Sequence, residues 1–360
     1  MSGQRARRPI AAVAITRRGA QMAASLAGRL EGVELYVEQR WAAEAGAPCR
    51  AFALPLRPVL ADLFARYPSL VLFVAVGVAV RLLAPLLSAK SRDPAVVTVD
   101  EAGRFAVCLL SGHRGGGEAL AQEVAVALGA TPVLTSASAA LGLPALDLLG
   151  DEWGWRLEGE EHLTAVAAAL VNGGPVAFYQ DSGRRPWEGV PPGLVEVSSL
   201  AEARERAVAC IVVSERLLPE GALSELPTIV YRPRTLVAGV GCRRGVGGAE
   251  VAAFVRQTLR ENGLSPLSLH SLATVASKAE EPGLREAAAL LDVPLVPLPP
   301  AALRRLAGRV SPSASERLLG LPSVSEASAL AAAGAETLLV PRAKNGRVTV
   351  AVARRREEDA

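Results

Sequence analysis

Short runs of valine, isoleucine and leucine alternate along this chain with segments in which apolar residues recur at helical spacing. Residues 10–16, 33–37 and 70–76 are strand-like runs, and a helical pattern follows the first and the third of them. Strands that alternate with helices in this way are typical of α/β proteins with a parallel or mixed sheet. The sequence therefore predicts three-layer α/β/α units, with helices on both faces of each sheet.

Shifts in composition along the 360 residues indicate several such units. The parallel or mixed sheets are predicted for an N-terminal α/β domain, residues 1–138, and a C-terminal α/β domain, residues 234–353, which a charged tail, residues 354–360, follows. Between them lies a smaller α/β middle domain, residues 139–233, near whose start two tryptophans appear. A chain of this length has room for two or three domains at roughly 100–200 residues each.

The most apolar stretch, residues 69–89, is the candidate for a membrane span. Arg81 lies near its centre and Pro85 follows in the same run. A charge and a proline in so short a stretch favour a buried strand followed by a helix after Gly77. At the N-terminus, Thr16 and two arginines interrupt the first apolar run, so no secretory signal is expected. We therefore expect no membrane attachment.

Charge and cysteine usage argue against further classes of protein. The formal net charge is +3, which is too small to indicate a nucleic-acid-binding surface. The four cysteines stand far apart, with no C-x-x-C motif and no cysteine–histidine cluster. We therefore expect neither a disulfide framework nor a structural zinc site, and we expect a cytoplasmic location.

A glycine-rich loop that contains one of the three histidines follows a predicted hairpin. The loop, SGHRGGGE at residues 111–118, comes where a strand gives way to a helix, a position at which α/β sheets often carry their sites. Histidine transfers protons near neutral pH, so His113 is a candidate acid or base. A lone histidine is also common as a structural residue, and that alternative stays open here. The loop is not a phosphate loop, because Glu118 stands where that motif needs a lysine.

A second glycine-rich turn, GVGCRRG at residues 239–245, follows a predicted strand in the C-terminal domain. Its spacing is one residue longer than a dinucleotide fingerprint, and no acidic residue clearly ends a second strand, so nucleotide binding has weak support. The turn carries Arg243 and Arg244, whose charges oppose the dipole of the following helix. Two interpretations stay open: the arginines bind an anionic ligand, or they are an exposed pair that contacts Glu250 or solvent.

Two further motifs near the C-terminus combine charges with helix starts. Lys278 is one of three lysines in the chain and stands beside Glu280 and Glu281, just before a predicted helix. Carboxylates at a helix start stabilise the helix dipole, which explains the glutamates but not the lysine. Glu326 follows Ser323 at the three-residue interval of a capping box, so there the structural interpretation is the stronger one.

Four segments of the chain occur together in a specific order and spacing. They are the stretch from VAVGVAVRLL to TPVLTSAS, and then VAGVGCRRG, ASKAEEPGLREAAALLDVPL and SVSEASALAAAGAETLLVPRAKNGRVTVAVAR. In this order they resemble the CbiG family of cobalt-precorrin-5A hydrolases, which act in anaerobic cobalamin biosynthesis. The resemblance covers nearly the whole chain, with a variable middle domain between the matched ends. The chain departs from the family pattern at Gly117 and Glu118, where relatives have Ala-Asn, and at Ala139, where relatives often have Asp.

The resemblance implies an enzyme that acts on a cobalt-bearing, methylated tetrapyrrole. Members of the family open the δ-lactone between a ring-A acetate and C20, and expel C20 with its methyl group as acetaldehyde to give cobalt-precorrin-5B. No cofactor is implied, because the cobalt is part of the substrate. The implied partners are this tetrapyrrole and, as candidates, neighbouring enzymes of the pathway, but neither a nucleic acid nor a membrane.

The substrate carries many carboxylates, so basic side chains in these motifs are candidate anion ligands. We expect His113 to be the general base, with Glu118 and Glu281 as reserves, and Lys278 to act in catalysis. The remaining candidates for substrate binding are Arg81, Ser111, Gly112, Arg114, Gly115, Gly116, Gly241, Arg243, Arg244 and Glu326. N–H groups of the glycine loop are candidate donors to the oxyanion. The large ring is expected to fit a cleft between the N- and C-terminal domains.

Two other functions stay open from the sequence. The altered loop at Gly117 and Glu118 is compatible with a carrier that holds a corrinoid intermediate without opening the lactone. The turn at residues 239–245 is the basis for a nicotinamide-dependent oxidoreductase. Acetaldehyde release would separate the hydrolase from the carrier, and a lack of nucleotide binding would exclude the oxidoreductase.

Overall fold

The computed structural model describes residues 9–89, 92–112, 115–312 and 322–356. Two residues of the predicted site, His113 and Arg114, lie outside the described residues. The chain divides into two compact units, with the boundary between Leu148 and Leu149. The first unit contains one sheet and the second contains two, and each of the three sheets is accompanied by helices.

The first unit is built on a seven-stranded sheet with the order β3-β2-β1-β4-β5-β6-β7. Neighbouring strands are parallel except β5 and β6, which form an antiparallel pair. The strands are β1 (Ile10–Ala14), β2 (Val33–Glu38), β3 (Arg50–Phe52), β4 (Ser69–Phe73), β5 (Ala95–Val99), β6 (Phe105–Leu110) and β7 (Thr131–Val133). The helices are α1 (Arg17–Ala27), α2 (Leu56–Arg66), α3 (Val76–Leu83), α4 (Gly117–Leu128) and α5 (Ala137–Leu141).

Helices cover both faces of this sheet. Small and branched residues of α1 and α4, such as Ala20 and Ala121, pack on one face with Ala12 of β1. On the other face, Leu60 of α2 and Ala79 of α3 are buried with neighbouring strand residues. Burial of these alanine, valine and leucine side chains supplies the main favourable free energy for the layered arrangement. The predicted three-layer α/β/α architecture is confirmed for this unit.

The predicted hairpin around DEAGR is also confirmed. The carboxylate of Asp100 accepts hydrogen bonds from the backbone N–H groups of Arg104 (2.7 Å) and Phe105 (2.8 Å), and Gly103 has a φ of 69°, which glycine adopts readily. The turn reverses the chain, so that Leu110 at the end of β6 pairs with Val96 near the start of β5. The segment after β6 therefore lies at the end of the sheet where strands β4 and β5 begin.

The apolar stretch at residues 69–89 forms a buried strand, β4, and then the short helix α3, as predicted. The strand ends at Phe73, three residues before the predicted end. Within the described chain, no helix has both the length and the apolar character that crossing a membrane requires.

The second unit begins with a five-stranded sheet of order β10-β9-β11-β12-β8. Its strands are β8 (Arg156–Glu158), β9 (Val176–Gln180), β10 (Leu194–Glu196), β11 (Ala209–Val213) and β12 (Thr228–Arg232), and its helices are α6 (Leu163–Val171) and α7 (Leu200–Arg206). Only β8 runs antiparallel to its neighbour. This is the smaller α/β element predicted for the middle of the chain, although β8, β10 and α7 are not evident in the sequence pattern.

The last sheet has the order β15-β14-β13-β17-β16, with β17 antiparallel to both of its neighbours. Its strands are β13 (Leu236–Cys242), β14 (Leu269–Val275), β15 (Leu295–Leu298), β16 (Val340–Lys344) and β17 (Val348–Arg354). The helices are α8 (Gly248–Glu261), α9 (Pro282–Leu291), α10 (Pro300–Arg304) and α11 (Val324–Ala333). Helices α8 and α9 pack on one face and α11 packs on the other, which again gives three layers.

The two sheets of the second unit are joined by a buried carboxylate. Glu215 follows β11 and has no exposed surface. Its carboxylate accepts hydrogen bonds from the Thr235 hydroxyl, directly before β13, and from the guanidinium of Arg354, the last residue of β17. A buried acid with such partners stabilises the contact only while all of them are present, because a lone buried charge is costly. The chain thus separates the two sheets in sequence, between β12 and β13, but packs them as one compact unit.

Candidate functional site

The two described ends of the glycine loop, residues 111–112 and 115–118, are in contact with each other between β6 and α4. The N–H groups of Gly117 and Glu118 donate to the carbonyl oxygens of Ser111 and Gly112, each at 2.9 Å. The Ser111 hydroxyl donates to the carbonyl of Asp93 at 2.8 Å, which fixes the loop to the segment that precedes β5. Ser111 has a φ of 54°, an uncommon conformation for a residue other than glycine. Backbone hydrogen bonds thus join the two described ends of the loop, and the Ser111 side chain anchors the first of them.

Close packing explains several of the glycines in this loop. A Cβ atom at Gly115 would lie 2.2 Å from the Cβ of Ser111, and one at Gly117 would lie 2.5 Å from the carbonyl oxygen of Leu110. Gly116 has a φ of 83°, at which any side chain is strained. These glycines allow the tight return of the chain.

Glu118, in the first turn of α4, places a carboxylate against the loop. A Cβ atom at Gly112 would lie 3.2 Å from its Oε1. Burial raises the pKa of the nearby Cys108 thiol to about 11, and the negative charge of Glu118 contributes to this rise. The Cys108 thiol is therefore protonated at neutral pH, and Glu118 is the acidic group that the structure places beside the loop.

The glycine loop follows a strand and precedes a helix, as predicted. The loop does follow the carboxyl end of β6, but β6 is antiparallel to β5, so the loop lies at the end of the sheet where the parallel strands β4 and β5 begin. The strand β6 is also parallel to β7, so the loop lies beyond the carboxyl end of a strand that has one antiparallel and one parallel neighbour. Arg81 lies on α3, where its Nη1 donates to the carbonyl of Gly77 at 2.9 Å, and its guanidinium has no ion-pair partner in the described chain.

Arg243 and Arg244 follow the carboxyl end of β13, as predicted, and both are exposed. The backbone N–H of Arg243 donates to the carbonyl of Arg347 at 2.9 Å. Glu250 forms its ion pair with Arg347, at 2.9 Å. The interpretation that Glu250 contacts Arg243 and Arg244 is therefore wrong. Neither adjacent arginine has an ion-pair partner among the residues that the structure describes, so both charges face solvent.

Lys278 and Glu281 form an ion pair just beyond the carboxyl end of β14, beside the carboxyl end of β13. The Lys278 Nζ lies 3.4 Å from Glu281 Oε1, and the two side chains are 28% and 18% exposed. Lys278 ends a 3₁₀ turn after β14, and the Glu281 N–H donates to its carbonyl at 3.0 Å. Glu281 occupies the N-cap position of α9, but its side chain makes no capping hydrogen bond. Its carboxylate therefore contacts the lysine instead of stabilising the helix start.

Cys242, at the end of β13, lies within electrostatic reach of this pair. Burial raises the pKa of its thiol, while the charges of Lys278 and Glu281 act in opposite directions on it. The three side chains meet because β13 and β14 are parallel neighbours whose carboxyl ends lie side by side. Cys242 was not a candidate from sequence, because the residues beside it come from a different strand.

Glu326 is also placed by the structure, but in the interior. It is 2% exposed, and its carboxylate accepts hydrogen bonds from the backbone N–H groups of Ser311 (2.8 Å) and Arg342 (3.2 Å) and from the Ser311 hydroxyl (3.1 Å). Burial raises the pKa of Glu326, but these hydrogen bonds outweigh it and lower the pKa overall. The predicted capping box is wrong, because the Ser323 hydroxyl makes no capping bond to α11. Glu326 instead fastens two segments to that helix.

The glycines of the turn at residues 239–245 have packing roles. A Cβ atom at Gly239 would lie 1.9 Å from the carbonyl oxygen of Ser325 in α11, and one at Gly241 would lie 2.7 Å from Thr349 Oγ1 of β17. The spacing of these glycines is therefore explained by the close approach of α11 and β17. This observation argues against a dinucleotide-binding turn.

Comparison with known proteins agrees with the architecture. Three family models match the chain in order: the N-terminal region of cobalamin synthesis protein G over residues 58–139, a cobalamin biosynthesis central region over residues 144–233 and the C-terminal region of protein G over residues 236–353. The α/β sheets and the ordered matches define a cobalamin-biosynthesis protein with three sequence regions.

Individual relatives narrow the assignment. A curated cobalt-precorrin-5A hydrolase from Priestia megaterium is 34% identical over 351 residues, which cover 95% of this chain and 94% of the relative. A second, from Salmonella typhimurium strain LT2, is 36% identical over 246 residues, or 67% of this chain and 69% of the relative. The chain belongs to the CbiG family. The solved structure of CobE, a protein from the cobalamin biosynthetic pathway, is 41% identical over 34% of this chain and 92% of its own, with a TM-score of 0.33.

Proposed function

We propose that this protein is a cobalt-precorrin-5A hydrolase of anaerobic cobalamin biosynthesis. The observation that carries the proposal is the match to a curated hydrolase of that name along 95% of this chain and 94% of the relative. The reaction is the addition of water to the ring-A acetate δ-lactone, followed by loss of C20 and its methyl group as acetaldehyde. The product is cobalt-precorrin-5B.

This reaction sets specific chemical requirements. Water adds to the lactone carbonyl and loses a proton to a base, and the acyl–oxygen bond then breaks, which leaves the oxygen on C20. That oxygen becomes the carbonyl of acetaldehyde as the bond from C20 to the ring breaks, and the conjugated ring takes up the electron pair. The protein must therefore provide a base, a cation near the oxyanion and contacts for the carboxylates of the substrate.

The Lys278–Glu281 pair meets the first two requirements among the described residues. The Glu281 carboxylate accepts no capping hydrogen bond from the N–H groups of α9, so it can accept the proton of the attacking water. Lys278 places an ammonium group beside it, where it can stabilise the oxyanion and then the acetate that forms. His113, the first choice for the base from sequence, remains a candidate with Glu118 in reserve.

The exposed arginines after β13 meet the third requirement. Arg243 and Arg244 have no ion-pair partner in the described chain, so substrate carboxylates can bind them without displacing a protein carboxylate. In this proposal no cofactor takes part, since the cobalt enters with the ring. The proposed location is the cytoplasm, and the proposed partners are the tetrapyrrole and the neighbouring enzymes of the pathway.

A direct assay tests the proposal. Purified protein is incubated with the lactone substrate, and acetaldehyde is measured with alcohol dehydrogenase and NADH. We expect acetaldehyde in a one-to-one ratio with consumed lactone. Tight binding of the lactone without acetaldehyde release would instead support the carrier function.

A further inference from the structure

A basic cleft lies where strands β13 and β14 begin, at the opposite end of these strands from the Lys278–Glu281 pair. Its cavity has a volume of about 440 Å³ and is lined by Trp153, Arg234, His270, Asp292 and Arg355, among other residues. Arg234 precedes β13, His270 is the second residue of β14 and Arg355 follows β17. These three positions meet because β17 is antiparallel to β13, so that its end lies beside the starts of β13 and β14. None of them was a candidate from sequence.

The positive charge in the cleft is poorly compensated by the protein. Arg234 is half-buried, and its guanidinium donates to two carbonyl oxygens, those of Leu269 and Asp292, each at 3.0 Å. Burial and the nearby charge of Arg156 lower the pKa of Arg234, and the Asp292 carboxylate opposes that effect only in part. That carboxylate is in contact with Arg156, which neutralises it.

Two more groups in the cleft lack a partner. Arg355 is exposed, and its side chain has no ion-pair partner in the described chain. The Nδ1 atom of His270 is buried, and no described residue forms a hydrogen bond with it. Burial lowers the pKa of His270, and the charges of Arg355 and Arg234 lower it further, so both arginines act on this ring. The mutual repulsion of the two guanidinium groups is unfavourable for folding and is relieved when an anion binds.

An aromatic wall adjoins these cations. Trp153 and Trp155 are in contact, with ring centroids 5.0 Å apart. Both line a second, smaller cavity, and Arg234 and Arg355 line this cavity as well as the larger one. Tryptophan contributes a large apolar surface at a binding site. Guanidinium groups beside such a surface suit a ligand that combines carboxylates with an apolar ring.

We propose that this cleft is a second binding site, which takes carboxylate arms of an acidic corrinoid while the edge of the ring packs against Trp153. It is separate from the reaction site, because β13 has seven residues and thus spans roughly 20 Å at about 3.3 Å per residue. The preference for carboxylates rests on the cleft itself. The choice of a corrinoid as the ring rests on the proposed function.

Binding stoichiometry tests the proposal. The full-length protein is titrated by equilibrium dialysis with dicyano-cobyrinic acid, whose ring absorbance reports the bound fraction, and with dicyanocobinamide, which carries amides in place of the carboxylates. We expect two molecules of the acid per chain and much weaker binding of the amide. The R355Q variant should weaken one of the two sites about tenfold and leave the other unchanged. The double variant R243Q/R244Q should do the reverse.

Controls separate this proposal from the hydrolase proposal. R57Q removes an exposed arginine of the first unit and should change neither site. R234Q should weaken the same site as R355Q, but it also removes backbone contacts, so its circular dichroism spectrum is compared first. Affinities that R355Q leaves unchanged, whether one acid or two are bound per chain, or equal binding of the amide would overturn the cleft site. Retained cleft binding in a protein that releases no acetaldehyde would refute the hydrolase and leave the cleft standing.

Discussion

Glu281 precedes a helix but pairs with Lys278, whereas its position in the sequence suggests that it caps the helix. Glu280 and Glu281 both precede a helix that begins with proline, and either could serve that helix start. In the structure Glu280 pairs with Arg285 on the surface, whereas Glu281 is largely buried beside the lysine. The neighbouring glutamates therefore offer a matched pair for mutation.

We expect E281Q to lower kcat for acetaldehyde release by roughly 10²–10⁴, because the amide cannot take the proton of the attacking water. The melting temperature should change little, since the Glu281 side chain makes no capping bond. The control E280Q removes the same charge one position earlier and should keep the wild-type rate. Equal rates for E281Q and wild type would leave His113 or Glu118 as the base.

The residues of the candidate site differ in how far the sequence could predict them. Lys278, Arg243 and Arg244 were found because their charges fit poorly with local helix chemistry. Cys242, His270 and Arg355 were not found, because their neighbours come from strands that are distant in sequence. The register between β13 and β17, which brings Arg355 to Arg234, has no signal in a single sequence.

At the scale of elements, α11 lies unusually close to β13. Gly239 makes this possible, since a Cβ atom there would lie 1.9 Å from the carbonyl oxygen of Ser325. We expect G239A to lower the free energy of unfolding by about 1–3 kcal/mol, as overpacking does elsewhere. Urea unfolding followed by circular dichroism measures the change. G247A is the control, because a Cβ atom at Gly247 meets no atom within 4 Å. If G239A is as stable as G247A, the glycine spacing needs another explanation.

Glu326 fastens the segments around Ser311 and Arg342 to the same helix. Its folded-state pKa is lowered, so the ionised carboxylate contributes stability above its unfolded-state pKa, and that contribution is lost as the pH falls through the folded value. We expect E326Q to cost about 1–3 kcal/mol at pH 7 and to differ less from wild type in acid. Thermal unfolding across the acid range measures this difference.

The matched control for Glu326 is Glu336, an exposed acid that pairs with Arg356. E336Q should have almost no effect at any pH, because exposed ion pairs contribute little. A constant difference between E326Q and wild type down to the lowest pH would contradict the proposed linkage to ionisation.

Element types were predicted more successfully than element positions. The buried strands β1, β4 and β13 and the longer helices follow from apolar periodicity, because tertiary packing and local pattern agree there. Strands β8 and β10 have three residues each, which is too short for a period to be recognised. The hairpin at DEAGR was predicted from its turn residues, and the loop follows its second strand as predicted, but the parallel pairing of β6 with β7 was not evident from the sequence.

At the scale of the whole molecule, the α/β class and the family follow from the order of the motifs. The two sheets of the second unit pack as one body around Glu215, whereas the sequence predicted a domain boundary between them at residues 233 and 234. The proline- and glycine-rich composition of the middle region indicates loops, but a buried ion pair between distant strands has no local pattern. The predicted boundaries themselves stay a prediction.

The reversal at β6 has a practical consequence for protein engineering. The glycine loop is anchored through the Ser111 hydroxyl to the Asp93 carbonyl, which lies just before β5, and it reaches that anchor only because the chain turns back at Gly103. If residues 111–118 alone were transplanted after a strand of a fully parallel sheet, they would lie at the opposite end of that sheet and would lack the hydrogen bond to Asp93. A functional graft would have to carry the whole segment from the end of α3 to α4.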